Sequence, residues 1–235
     1  MVRLWPMAKI SVVVPAHNEE ATLSATLEAL RRQDLKKFEL IVVDSASTDA
    51  TAEVAKAYGA LVIRVDEPGS ARARQAGFEA ASGHIVASTE ADSIPPPDWL
   101  GRLVGPFRNP QVVGTYGGLS LIGDGLAFKM AERFFIHWQR LNHALKRPIF
   151  CGANFAVRKR TFLEVGGFMW RNTLPHEGED IRLAVKLLKM GKVVFMPDLL
   201  VATSTRSFAG PGTLRYLIRH ARNYFQTYWL RYGNV

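Results

Sequence analysis

Ile10-Ser11-Val12-Val13-Val14-Pro15-Ala16-His17-Asn18-Glu19 is the stretch on which the fold turns. Its first half is a short β-branched apolar run closed by Pro15, and its second half is polar. Behind it, Glu19 to Arg32 sets Leu23, Leu27 and Leu30 on one helical face. The same unit then recurs. Leu40 to Val43 is a second buried strand ending at Asp44; Thr48 or Asp49 can cap a helix through Tyr58, and Gly59 ends it. Leu61 to Val65 reads as a third strand, Ser70 to Ala81 as a helix and His84 to Ser88 as a fourth strand. Such runs are the pattern of a parallel sheet covered on both faces. Right-handed crossovers then bring the strands' C-terminal ends to one edge, where ligands of open α/β sheets bind.

The polar residues cluster at those ends: Ala16 to Glu19 after the first strand, Asp44 and Ser45 after the second, Glu90 to Asp92 after the fourth. Three clusters at equivalent places point to one site, although any one of them alone reads as ordinary loop polarity. Beyond Asp92 the order loosens. Ile94 to Pro97 is a stiff turn, Asp98 to Phe107 a short helix, Val112 to Leu119 a Gly-rich strand and Ile149 to Val157 another. Leu126 to Leu145 is an amphipathic helix, Glu179 to Met190 a helix stopped by Gly191, and Val193 to Met196 and Leu200 to Thr203 are short strands. Thr213 to Tyr232 closes the chain as a basic, aromatic helix. With no internal repeat and no low-complexity linker, the expectation is one domain over 1–205 with an extension over 206–235.

Composition narrows the class. Hydrophobic residues make up 48% of the 235, enough for a continuous core, which excludes a disordered chain. The single cysteine, Cys151, excludes an intramolecular disulfide and a zinc site with paired Cys ligands, and reads as a small buried strand residue. Met1 to Lys9 has no long apolar run and no stretch is long enough for a spanning helix, so the protein is expected to be soluble or membrane-associated. A net charge of +9 predicts attraction to polyanions. From Leu199 onward no acidic residue occurs, while Arg206, Arg215, Arg219, Arg222 and Arg231 are all basic.

Three clusters carry chemistry. Glu90-Ala91-Asp92 can turn both carboxylates to one ligand, as a hard cation such as Mg2+ or Mn2+ requires, with Pro95 to Pro97 stiffening the loop. The alternative is a pair of solvated turn acids. Gly69 to Arg74 opens a helix whose free N–H groups suit a phosphate, with Arg72 or Arg74 adding a charged contact. The alternative there is a capped helix with two exposed arginines. His176, Glu177, Glu179 and Asp180 crowd four titratable groups into five positions, where a carboxylate can act as general base. Acids in a first helical turn also serve simply to complement the helix dipole.

Taken together and in order, the motifs resemble family 2 of the inverting glycosyltransferases, from about Lys9 to Thr205. The matching pieces are Val13 to Glu20, Val42 to Asp49, Ala71 to Gly77, Glu90 to Asp92, Cys151 to Arg158, Val165 to Phe168 and Gly178 to Asp180. The resemblance implies a GT-A fold: a mostly parallel nucleotide-binding sheet flanked by helices, here with a basic amphipathic C-terminal helical extension. It also implies that Pro15, Ala16, Asn18 and Glu19 line the nucleotide pocket, that Asp44 reads the base and that Arg72 and Arg74 sit near the diphosphate. Glu90, Ala91 and Asp92 take the place of the family's Asp-x-Asp element for ribose and metal, with Asp92 the direct ligand and Mn2+ or Mg2+ the cofactor. Asn154 and His176 fall on the acceptor side, and Asp180 takes the place of the base, with Glu179 beside it. Two positions depart from the family pattern: Ser45 where an Asp often follows Asp44, and Glu90 where the metal element usually begins with Asp.

The function so implied is transfer of a hexosyl-type sugar from a UDP- or GDP-linked donor to a hydroxyl acceptor, a lipid-linked one among the candidates, in cell-envelope glycan or glycolipid synthesis. Asp180 would take the hydroxyl proton and no covalent intermediate is needed. The stripe Phe128, Phe134, Phe135 and Trp138 reads as core, with an apolar acceptor groove or membrane-facing surface as its alternative. Aromatics interleaved with arginines in the last helix match an interfacial helix on an anionic leaflet, and equally a helix packed on the domain with its arginines in water. A cytoplasmic protein is expected, peripheral on the inner face of the membrane under the first reading. Three rivals stand against this. Nucleotidyl transfer wants a Gly-rich loop after strand one, which is absent. A nucleic-acid-binding or anionic-surface module is motivated by charge alone and lacks the known signatures. A catalytically inactive sugar-nucleotide binder is opposed by the presence of both Asp92 and Asp180.

Overall fold

The computed structural model describes residues 9–122, 126–168, 178–204 and 222–231. The first half alternates as the sequence pattern predicts: β1 (Ile10–Ala16), α1 (Glu20–Arg31), β2 (Glu39–Ser45), α2 (Thr51–Ala57), β3 (Leu61–Val65), α3 (Ser70–Ala80) and β4 (Ile85–Ser88). β1 pairs in parallel with β2 and β4, and β2 with β3, so the four C-terminal ends share one edge. Alternation splits the apolar run of β1 between the two faces of the sheet. Val12 and Val14 meet Leu23, Leu27 and Leu30 of α1 on one face, and Val13 meets Phe78 of α3 on the other. At Gly77 a Cβ would lie 2.4 Å from a methyl of Val13 and 2.9 Å from one of Val43, so α3 sits closer to β1 and β2 than any larger residue permits.

The second half turns the sheet antiparallel. It comprises β5 (Ser93–Ile94), α4 (Trp99–Val104), a 3-10 turn (Gly105–Arg108), β6 (Val112–Ile122), α5 (Leu126–Ala144), β7 (Phe155–Arg158), α6 (Lys159–Glu164), α7 (Glu179–Met190) and β8 (Lys192–Ser204). The order across the sheet is β3-β2-β1-β4-β7-β6-β8-β5. β7 runs antiparallel to both β4 and β6, while β8 returns parallel to β6 and takes β5 on its far side. Phe78, Phe155, Phe162 and Phe168 stack under the join, with ring centroids 4.9–6.3 Å apart. Edge-on and offset contacts of this kind add to the area they bury.

Several expectations for this half need correction. The strand expected from Ile149 begins only at Phe155, because 149–154 is a buried approach in which Asn154 N–H closes a turn onto Cys151 O. The two short strands after Gly191 are one, β8, kinked by a register shift opposite Gly117 and Gly118. α6 was not foreseen, since Lys159-Arg160-Thr161-Phe162-Leu163-Glu164 shows too few turns for periodicity to register. The stripe on α5 is not core: Phe134 is 72% exposed and Trp138 37%, while Phe135 is half-buried. Phe128, Arg206 and most of the expected last helix lie outside the described side chains; within 222–231 the chain is helical, wound as a π-helix over Gln226–Arg231.

Candidate active site

The strand ends of the parallel half enclose a cleft of about 530 Å3. Pro15, Ala16, His17 and Glu19 line it from β1, Ser45 from β2, Gly69, Ser70, Ala73 and Arg74 from α3, and Glu90, Ala91 and Asp92 from the turn after β4. The polar motif after β2 has a structural reason. Its side chains meet the open N–H groups at the start of α1: Ser47 Oγ accepts from Asn18 at 2.9 Å, Thr51 Oγ1 from Glu19 at 2.8 Å and Asp49 Oδ2 from Glu20 at 3.1 Å. Asn18 itself sits at φ 53°, in the left-handed region that Asn tolerates, and its Oδ1 accepts from Thr48 N–H at 2.8 Å. α3 starts without a side-chain cap, so its first-turn N–H groups and dipole face the cleft as a phosphate site would need. Gly69 N–H is tied to Ser45 Oγ at 3.0 Å, which fixes that start against β2.

The acid turn is pinned on both sides. Ala91 O accepts from Thr26 of α1 at 2.9 Å, and Asp92 O accepts from Ser204 N–H at the end of β8 at 3.2 Å. β5 then pairs Ser93 with Thr203, so the turn hangs between the two halves of the sheet. Arg74 is the centre of the site. Its guanidinium donates to Glu90 Oε1 at 2.7 Å and to Glu179 Oε1 at 2.7 Å, with its side chain only 4% exposed. Ser70 Oγ also donates to Glu179 Oε1 at 3.2 Å. A Cβ at residue 152 would lie 1.9 Å from Arg74 Nη2 and 2.6 Å from Glu90 Oε1, so Gly152 is the wall that leaves room for the bridge.

Electrostatics follow from that packing. Asp180 is pushed up to about 7, first by burial and then by the neighbouring Glu179 charge, with Arg74 opposing. Burial also raises Glu90, while the Arg74 charge pulls it down and Asp92 and Glu179 push it up again. Cys151, expected as a buried strand residue, is instead half-buried in the turn before β7, where desolvation and the neighbouring acids push its thiol well above the ordinary value.

The structure brings some predicted residues together and separates others. Pro15, Ala16, Glu19, Arg74, Glu90, Ala91 and Asp92 line the cleft, and Glu179 and Asp180 meet it through Arg74. Asp44 does not reach it: fully buried, it accepts from Ser47 N–H at 3.0 Å and from Arg64 at 2.9 Å, leaving Ser45 at the surface of the cleft. Arg72 points out of the cleft to Glu67. Asn154, expected on the acceptor side, is instead a buried tie. It accepts from Trp99 Nε1 at 2.9 Å and donates to Gly118 O at 2.7 Å and Leu199 O at 2.8 Å. His176 lies outside the described residues. Gly152 and Arg64 were missed; a glycine inside the Cys151 to Asn154 motif was the only available signal for the first.

A parallel half with a phosphate-ready helix start, joined through an acid turn to an antiparallel half, defines the GT-A fold. The chain belongs to glycosyl transferase family 2, whose model matches residues 11–166. Among similar proteins, the glycosyltransferase AglE of Haloferax volcanii is 31% identical over 175 residues, covering 68% of this chain and 55% of that protein. An undecaprenyl-phosphate 4-deoxy-4-formamido-L-arabinose transferase of Serratia proteamaculans is 38% identical over 126 residues, 49% of this chain and 39% of its own length. This chain thus spans about half of such relatives or less. A structure of glucosyl-3-phosphoglycerate synthase from Mycobacterium tuberculosis, in complex with Mn2+, UDP and phosphoglyceric acid, superposes with a TM-score of 0.66 at 26% identity, covering 94% of this chain and 77% of that one. The mannosyltransferase PcManGT from Pyrobaculum calidifontis, in complex with GDP-Man and Mn2+, shares the fold at a TM-score of 0.71 and 24% identity, over 94% and 63%.

Proposed function

We propose that the chain is an inverting glycosyltransferase that moves a sugar of hexosyl type from a UDP- or GDP-sugar to a hydroxyl acceptor. The observation that carries this is the Arg74 bridge. It draws Glu90, from the turn after β4, and Glu179 and Asp180, far along the sequence, around one guanidinium that lines the cleft. The cleft's volume suits a nucleotide sugar.

Charge balance supports a divalent ion. Among the described residues, Glu19, Glu90 and Asp92 line the cleft beside Arg74, which binds Glu90 and Glu179, and carboxylates of this kind suit a hard divalent ion that bridges them to a diphosphate. Among the described residues no three acids, histidines or cysteines form a complete metal cage. That fits Mg2+ or Mn2+ held by one or two carboxylates and completed by substrate phosphates and water. Asp92, in the cleft lining and in the place of the family's metal element, is the residue that would hold the ion directly, with Glu90 beside it. When bound, the ion supplies Lewis-acid neutralisation of the departing diphosphate.

The chain's own residues do the rest. The start of α3 would seat the diphosphate by its N–H groups. Asp180, with a proton affinity poised near neutrality, takes the acceptor's hydroxyl proton as that oxygen bonds to the anomeric carbon. The bond from that carbon to the diphosphate oxygen breaks on the opposite face, and nucleoside diphosphate leaves.

A melting-temperature screen of UDP- and GDP-sugars with and without Mn2+ tests the proposal. One nucleotide series should stabilise the protein only with metal, and Asp92→Ala should remove that response. If no nucleotide sugar stabilises the protein, with or without metal, the transferase proposal fails.

A further inference from the structure

We propose that α5 and the helical segment 222–231 form a platform that docks on an anionic lipid leaflet and holds the acceptor side of the site at the membrane surface. At about 100° per residue, Met130, Phe134, Trp138 and Leu141 of α5 fall within an arc of about 80°. They are 62%, 72%, 37% and 54% exposed, and Leu145, just beyond the helix, continues the row. Beside and behind this stripe α5 buries polar groups: Asn142, next to Trp138, accepts from Tyr224, and Gln139, on the far side, donates to Ile149 O at 3.1 Å. A helix on a water-facing surface has the reverse arrangement. Scattered exposed apolar residues carry no message, but a continuous stripe does.

The C-terminal segment extends this stripe. Tyr224 packs on Trp138 at 5.5 Å between ring centroids, Tyr228 donates to Pro148 O at 2.6 Å, and the Arg147 guanidinium lies 4.7 Å from the Trp229 ring centre. Phe225 and Trp229, both more than half exposed, stack outward at 6.2 Å. Lys129, Arg133 and Arg140 are exposed along one border of the stripe, with Arg222 exposed on the segment. Arg140 has one acidic neighbour, Asp198, at 3.4 Å, and Glu132 is the lone acid of α5. An apolar row edged by cations fits acyl chains beneath anionic headgroups. A second copy of this +9 chain would bring like charge into the contact instead. Among the described residues no helix is long and apolar enough to cross a membrane, so docking would be lateral.

The platform touches the site. A Cβ at Gly178, which starts α7 just before Glu179 and Asp180, would lie 3.2 Å from Cβ of the buried Asn223. A docked platform therefore sets the base at the leaflet, where a lipid-linked hydroxyl acceptor would arrive. That consequence rests on the glycosyl-transfer proposal; the docking itself does not.

Flotation of the full chain with phosphatidylcholine vesicles, with and without phosphatidylglycerol, tests it. The chain should float with the anionic vesicles and release as salt rises. Phe134→Ser with Leu141→Ser should lower vesicle partition by at least about tenfold. Arg133→Glu with Arg140→Glu should lower binding to anionic vesicles while leaving the melting temperature unchanged. Absence of flotation with either vesicle, or equal binding by both double variants, overturns the proposal. So does a stable dimer in solution that Phe134→Ser dissociates, which would make the stripe a self-interface. The nucleotide-sugar melting screen on the same preparations separates a failure of docking from a failure of the transferase proposal.

Discussion

Arg74→Met removes the guanidinium while keeping most of the side chain's volume, and the structure sets the size of the effect. Breaking a buried ion pair by deleting one partner costs about 3–5 kcal/mol. Only the arm to Glu179 counts in full, because that carboxylate is 8% exposed whereas Glu90 is 40% exposed and screened. Against this, the Arg74 Nε is buried without a hydrogen bond, and its removal returns about 1 kcal/mol. The net loss is about 3 kcal/mol, or roughly 6–12 °C in melting temperature for a chain of this size. The loss should depend on pH. Without Arg74, Glu90 and Asp180 lose the charge that pulls their proton affinities down, and these rise further above those of the unfolded chain. Stability lost at high pH is then recovered as pH falls and the folded state takes up protons. Differential scanning fluorimetry of both proteins at about pH 8 and about pH 5 should show the gap narrow on acidification. An equal melting temperature at both pH values, or a gap that does not change with pH, would refute the charge argument and leave lost packing at most.

Because Asp180 must be ionised to act, the transfer rate should climb with pH through about 7 and then level off; Glu179→Gln should move that midpoint down by removing the adjacent charge. Asp180→Asn should lower kcat by about 10²–10⁴. It should also raise the melting temperature above pH 7 yet leave it unchanged near pH 4, since stability tied to a raised carboxyl is lost as pH rises through its folded value. A pH-independent rate, or a less stable Asp180→Asn at pH 8, would count against the assignment. Asn154→Ala strips three buried hydrogen bonds at once and should cost about 3–5 kcal/mol, read as an earlier unfolding midpoint in urea. A cost under about 1 kcal/mol would mean that Asn154 does not tie the strands.

Much of the donor half was legible because its signals are local. β-branched runs, leucines at helical spacing and Gly59 at φ 74° each act within a few residues, and the elements fall within a residue or two of expectation. The acid turn and the start of α3 were legible for the same reason: they follow strands whose ends the topology collects. Side-chain direction was not. Spacing locates Asp44 and Asn18 at the cleft's edge, yet Arg64 and Thr48 claim their oxygens from elsewhere in the chain. Arg72 and Arg74 stand two positions apart, and the helix turns one outward to Glu67 and the other inward to Glu179. On α5 the amphipathic pattern was seen and its inner face misjudged. Apolar periodicity tells which residues share a side, and only the burial of Gln139 and Asn142 tells which side meets the sheet.

The ion pair between Arg64 and Asp44 also bears on solubility. Among the described residues β3 is an outermost strand of the sheet, and Leu61, Val62, Ile63 and Val65 make a short window of high β-propensity whose outer backbone donors and acceptors pair with no described strand. Arg64 is the one charge in that window, 59% exposed and held in place by a carboxylate from the neighbouring strand. The contact that withholds Asp44 from the cleft therefore stations a gatekeeper on the sheet's margin, where a neutral residue would leave a template for strand-on-strand aggregation.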